Sequence, residues 1–255
     1  PLDFSVPTEI VDLPSKGRFY SEVHPLHKKD SIEIKFMTAK DEDILTSPSL
    51  LKKGIAIDRF LSNVILDRTV RVPSLLSGDK NAILVASRIN GFGADYTTKV
   101  TCPSCATVSE NTFDLNEITM YDGNDYGDYD VTQTDNRTFI IKLPRSGFEF
   151  EVRLLTGKDE TDLLAKMQSN KKSKTYEPNL TDQLKMIAVS INGNEDKTLI
   201  HRAIDALPAF DSRYLRAAYA KIQPGLDMTQ EFSCDACGFE KEVEMPLTVD
   251  FFWSK

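Results

Sequence analysis

Four cysteines are the residues of this 255-residue sequence whose type and spacing ask for chemistry. They form two pairs, Cys102-Pro103-Ser104-Cys105 and Cys234-Asp235-Ala236-Cys237-Gly238. A Cys-x-x-Cys turn aims two thiolates at one point, and two such turns make a tetrahedral zinc site. The separation of the pairs is unusual. A compact zinc ribbon leaves ~15–20 residues between its pairs, whereas 128 residues lie between Cys105 and Cys234. If each half of the chain ends in such a knuckle, and the halves pair about a pseudo-twofold axis, the knuckles meet at the seam. Cys102, Cys105, Cys234 and Cys237 would then bind one structural Zn(2+). With every coordination position taken by thiolate, no place remains for water, so the site is not expected to be catalytic. Three other readings stay open. The thiols are free and buried, each knuckle pairs with another subunit, or the pairs are redox-active. A redox pair usually opens a helix after a strand, and these sit between predicted strands.

The elements that must position the knuckles are visible as an internal repeat. Ile34-Lys35-Phe36-Met37-Thr38-Ala39-Lys40-Asp41-Glu42 has a counterpart in Val152-Arg153-Leu154-Leu155-Thr156-Gly157-Lys158-Asp159-Glu160. A displacement of 118 residues separates Thr38 from Thr156, and 132 separate Cys102 from Cys234. The difference is accounted for by Gln168–Pro178, a lysine-rich polar run that reads as a surface insertion, exposed and mobile. Before each cysteine pair runs a helical stripe: Ala82, Val85, Ala86 and Ile89, then Leu215, Ala218, Tyr219 and Ile222. After the pairs, Phe113 and Leu115 correspond to Met245 and Leu247.

Each half therefore predicts the same order. An extended segment (31–37 or 148–155) leads to a helix capped by Thr38 or Thr156, with an acid three residues on. A second helix follows at 56–65 or 184–191. The stripe helix comes next, with Asp79 or Ser212 near its start as capping residues. A hairpin around the cysteines closes the half. The fold class is α+β, with two tandem pseudo-repeats and the four-cysteine site at their seam. The divisions are an N-terminal arm at 1–30, repeat 1 at 31–120, an acidic linker at 121–131 and repeat 2 at 132–255. The linker lacks the oxygen ligand that an EF-hand loop needs before its glycine, since Tyr126 stands there, so it reads as a solvated connection.

Composition narrows the function. With 31 Lys+Arg against 39 Asp+Glu, the net charge is −8, which argues against nucleic-acid binding by bulk charge. No apolar run reaches the length of a membrane span. Pro1-Leu2-Asp3-Phe4 has no signal-peptide character and fits removal of an initiator Met in a cytosol, where unpaired thiols or metal ligands are expected. No phosphate loop, zinc-protease helix or nucleophile elbow is present. Gly91-Phe92-Gly93 ends a helix and does not open one. His24 and His27 flank Pro25 in a surface segment, and His201 stands on a predicted helix; none has a metal-binding context. Lys52-Lys53 and Lys171–Lys174 read as solvated charge.

One string resembles a known family: Val11-Asp12-Leu13-Pro14-Ser15-Lys16-Gly17-Arg18-Phe19-Tyr20, then Met37–Leu45, Lys53–Asp58, and Gly78–Ile89 running to Gly91-Phe92-Gly93. It is similar to the baseplate hub subunit and hub-assembly proteins of T-even-like contractile-tailed bacteriophages. The likeness covers about residues 10–115, and the second half follows it more loosely, with Leu143–Glu149 as a weaker equivalent of Leu13–Tyr20. The resemblance implies a non-enzymatic virion protein of the tail tip, assembled in the host cytoplasm and located in the tail baseplate. Its partners would be other baseplate and hub proteins, within an oligomeric assembly, with no nucleic acid and no membrane span. The alternatives are a chaperone-like hub-assembly factor absent from the finished particle, and an enzyme with an unrecognised site. Phe4 to Tyr20, broken by Pro7, Pro14 and Gly17, is too apolar for a free tail. It packs on its own domain or docks on another subunit through its aromatics.

Overall fold

Alternation of side chains decides the first strand pair. β1 (Thr8–Asp12) and β2 (Ser31–Lys35) run antiparallel, from Thr8 opposite Lys35 to Asp12 opposite Ser31, with Ile32 and Ile34 buried and Glu33 outside. Thr38 then starts α1 (Ala39–Leu45), its N–H and hydroxyl both donating to Asp41. α2 (Pro48–Lys53) opens on proline. α3 (Ala56–Val64) buries Ala56, Phe60, Leu61 and Val64, one face of a 3.6-residue repeat. α4 (Ser77–Phe92) leads into the hairpin of β3 (Asp95–Thr101) and β4 (Val108–Asp114), whose turn holds the first cysteine pair. β5 (Thr119–Tyr121) follows. The computed structural model describes residues 5–170, 180–245 and 249–252.

In the second half, β6 (Val131–Gln133), β7 (Phe139–Lys142), β8 (Glu149–Val152) and β9 (Ala188–Ile191) form an antiparallel sheet in that order. α5 (Gly157–Asn170) and α6 (Leu180–Ile187) lie between β8 and β9. α7 (Lys197–Asp205) is capped by Asp196, whose carboxylate accepts from the Thr198 N–H. α8 (Ala209–Ile222) buries Leu215, Ala218, Tyr219 and Ile222. β10 (Gly225–Asp227) follows, and then the hairpin of β11 (Thr229–Ser233) and β12 (Glu240–Glu244) around the second cysteine pair.

One continuous apolar core runs through both halves. β5 pairs with β10, Tyr121 opposite Gly225. The Ser77 N–H donates to the Leu155 carbonyl and the Gly157 N–H to that of Leu75. Gly78 lies so close to the end of α8 that a Cβ there would stand 2.0 Å from the Pro224 carbonyl oxygen. The turn at Val249–Phe252 returns to the first half. Phe251 packs edge-on against Tyr96 at 5.0 Å and Phe252 against Phe60 at 5.2 Å. The Arg88 Nε–H donates to the Phe251 carbonyl at 3.0 Å.

Several local expectations change. The second-half helix expected through Ile191 ends at Ile187, and 188–191 become a strand. The apolar run looks helical by itself, but β8 offers an unpaired edge, and Val189 and Ile191 suit a strand. Asp79 is not a cap: α4 begins at Ser77 after Leu76, and Asp79 is wholly buried, bonded to Ser15 and Tyr20. In α8 the corresponding acceptor is Asp211, not Ser212. The segment before β2 packs inward: Leu13, Phe19, Tyr20 and Leu26 are buried. Phe19 and Tyr20 are therefore not free to anchor a partner, while Ile10 and Val23 stay exposed; Phe4 lies outside the described residues. His24 stacks on Tyr20 at 4.2 Å and its Nε2 bonds Ser74 Oγ at 2.8 Å. In the acidic stretch, Asp122 pairs with Lys16, and Tyr126 and Tyr129 pack against Phe139 and Tyr214. Most of the expected insertion, from Lys171 on, lies outside the described residues, as does Leu247.

Candidate metal centre

Both cysteine turns are built alike. The N–H of the first cysteine donates to the carbonyl five residues on, Cys102 to Thr107 and Cys234 to Phe239, each at 2.9 Å. The N–H after the second cysteine returns to the first cysteine's carbonyl, Ala106 to Cys102 at 2.9 Å and Gly238 to Cys234 at 2.8 Å. This closure requires a left-handed residue after each pair, at φ 59° for Ala106 and 68° for Gly238. Glycine takes that conformation freely, while alanine costs ~1–2 kcal/mol. The hairpins bring their turns together through shared burial of Val100, Phe113, Phe232 and Met245 in the core. Gln230 Nε2 also donates across to the Asp114 carbonyl at 2.7 Å.

All four sulfurs lie within 4.8 Å of one another. Cys102 to Cys237 and Cys105 to Cys234 each measure 3.8 Å. These are distances between knuckles, far beyond the ~2.05 Å of a disulfide, and all four thiols are free. A tetrahedron with Zn–S arms of ~2.3 Å has edges of ~3.8 Å, so the donor set and its spacing fit a thiophilic cation. Cys102 and Cys234 are buried and Cys105 and Cys237 exposed. The site thus has an inner wall against the core and an outer wall toward solvent.

The thiols of Cys105 and Cys237 are pushed in opposite directions. Hydrogen bonding at Thr107 holds Cys105 down at about 6. At Cys237 the backbone hydrogen bond with Phe239 acts to lower the thiol, but the neighbouring cysteine sulfurs, Cys105 first, carry it up to about 12. A divalent cation held by Cys102, Cys105, Cys234 and Cys237 would supply the positive charge that lets the thiolates coexist. The sequence-derived set Cys102, Cys105, Cys234 and Cys237 is thus brought to one point.

Sequence reasoning missed a pair of buried carboxylate anchors. Asp79 Oδ1 accepts from the Ser15 N–H at 2.9 Å, and its Oδ2 accepts from the Ser15 hydroxyl at 2.6 Å and from Tyr20 OH at 2.7 Å. Burial raises its pKa against the opposing pull of those hydrogen bonds. Asp211 accepts from the N–H groups of Arg145 and Ser146 at 3.1 and 2.8 Å. The available signal was the likeness of Leu13-Pro14-Ser15-Lys16-Gly17 to Leu143-Pro144-Arg145-Ser146-Gly147.

Comparison with known protein families matches residues 7–253 to the family described as T4 bacteriophage base plate protein. No curated protein and no solved structure matches the chain.

Proposed function

Since this chain belongs to the T4 bacteriophage base plate protein family, with the tail baseplate as its place and other baseplate proteins as its partners, we propose that it is a non-enzymatic structural component of the baseplate hub. It works by contacts within the assembly. The family match over nearly the whole chain carries this reading. Two carboxylates with shifted pKa values support it, because both serve internal architecture: Asp79 ties the N-terminal segment to α4, and Asp159 closes the cap of α5.

The cysteine cluster is, in this reading, one structural Zn(2+) site. Its ligands are Cys102, Cys105, Cys234 and Cys237, and it joins the two knuckle hairpins within one chain. A zinc ion there supplies cross-linking and charge neutralisation, and with four thiolate ligands it leaves no position for a substrate.

The two halves are, we further propose, tandem repeats about a pseudo-twofold axis. Matched networks favour this. Thr38 bonds Asp41 beside Lys35, and Thr156 bonds Asp159 beside Arg153. Asp79 and Asp211 each hold the backbone of a Leu-Pro turn. The tails cross reciprocally, β5 going to β10 of the second half and Phe251 to the core of the first.

Mass spectrometry of purified tails tests the functional reading. The chain should be present in stoichiometric amount relative to other hub proteins. Its absence from particles, with accumulation in infected-cell extract, would establish the assembly-factor alternative instead. Full rescue of assembly by far substoichiometric protein would exclude a structural role.

A further inference from the structure

A cleft of about 790 Å³ opens where the first half meets the start of α5. It is lined by the apolar Val70, Val72 and Pro73 and by the cationic Arg68, Arg71 and Lys158. Three cations have gathered at one opening on a chain of net charge −8. Among the described residues, none of the three forms an ion pair, although eight other pairs occur across the molecule. Arg68 is pinned, its guanidinium donating to the Ser62 carbonyl at 2.6 Å. The one carboxylate on the cleft wall, Asp67, is engaged by Thr69 and by Lys29. The helix N-terminus at Gly157 also faces this region, but Asp159 and Glu160 already answer its dipole. The unanswered charge is therefore on the side chains.

Like charges gathered beside apolar side chains with no carboxylate of their own suit a partner that supplies the opposite charge. We propose that this cleft is a docking site for an acidic segment of another protein, with carboxylates meeting Arg68, Arg71 and Lys158 and an apolar side chain covering Val70 and Pro73. The proposal rests on the reading of the chain as a contact protein.

The test uses the full chain and a short labelled peptide alternating Glu and Leu, followed by fluorescence anisotropy. Saturable binding that weakens with added salt is expected. It should fall about tenfold or more in the Arg71→Glu, Lys158→Glu double variant, while Arg213→Glu on α8, outside the cleft, leaves it unchanged. If the charge-reversed protein fails to fold, Arg71→Gln with Lys158→Gln replaces it, with a smaller loss in the same direction. Absence of peptide binding, or binding indifferent to both double variants, overturns the proposal. Displacement of the peptide by inorganic pyrophosphate at much lower concentration than by free glutamate would also overturn it, marking a phosphate site. Incorporation of the double variant into tails separates the two levels. Normal incorporation together with no peptide binding removes the cleft proposal and leaves the contact reading standing, whereas absence of the unmodified chain from tails removes the latter.

Discussion

Asp79 receives both the backbone N–H and the hydroxyl of Ser15, a residue 64 positions earlier, at 2.9 and 2.6 Å. That relationship fixes the N-terminal segment onto α4, and Tyr20 completes it by donating to Asp79 and accepting from the Leu76 N–H. Removing one partner leaves a buried group unsatisfied, at a cost of ~1–3 kcal/mol. Tyr20→Phe should lower the unfolding free energy by that amount, measured by denaturant unfolding. A change within error would show that the network is redundant.

The same carboxyl sets a pH trend. Burial raises the pKa of Asp79 above its ordinary value in the folded chain, so its protonated form is favoured by folding. Its contribution is complete at acidic pH and is lost as pH rises through the raised value. Asp79→Asn should flatten the fall in stability on that alkaline side. An unchanged pH profile in the variant would count against the assignment.

At Asp159 the sign reverses. Burial acts to raise this pKa, but two hydrogen bonds of 2.7 Å from Arg153, with those from Thr156, outweigh it and hold the carboxyl at about 2. Its stabilisation is present above the ordinary aspartate value and is lost as pH falls toward 2. Arg153→Gln should destabilise the protein at neutral pH by ~1–2 kcal/mol, less than the full linkage value because the guanidinium is partly in water. The acid-unfolding midpoint should move to higher pH. Circular dichroism across an acid titration reads both.

Metal content is the most direct check on the cysteine cluster. Protein purified without chelator should carry one zinc per chain. Cys234→Ser should lower stability by at least ~3 kcal/mol and loosen the first half as well as the second, because the site joins the two knuckles. Elemental analysis and hydrogen exchange at Val100 and Phe113 give the answer. A zinc-free, fully stable native protein would rule the site out.

Phe251 and Phe252 fill the first half's core from the far end of the sequence. Each truncation to alanine should cost ~3–5 kcal/mol. The resulting gain in hydrogen exchange should be greatest in α3 and β3, against which the rings pack. Loosening confined to the second half would contradict the tail's placement.

The chemistry was legible in the sequence where it depended on local spacing. Cys-x-x-Cys turns and Thr-x-x-Asp caps are short-range devices, and both form as their residue types require. The stripe at Leu215, Ala218, Tyr219 and Ile222 was readable because a helix face repeats every few residues. What could not be read depended on distant partners. Ala188–Ile191 became a strand because β8 was there to receive it. Asp79 looked like a cap until Ser15 and Tyr20, far away in sequence, enclosed it. Arg68, Arg71 and Lys158 carry no motif at all, since only the approach of α5 to the 68–74 segment makes them neighbours.

The crossing of the C-terminal tail has a consequence for synthesis on the ribosome. Phe60 and Tyr96 emerge early, but the rings that cover them belong to residues 251 and 252. Cys102 and Cys105 likewise wait for Cys234 and Cys237. The first half therefore cannot finish its own core from its own residues, and its apolar surface must stay uncovered until Phe251 and Phe252 have been made. Closure is then late, non-local and slow, with aggregation of the half-made chain as the competing outcome.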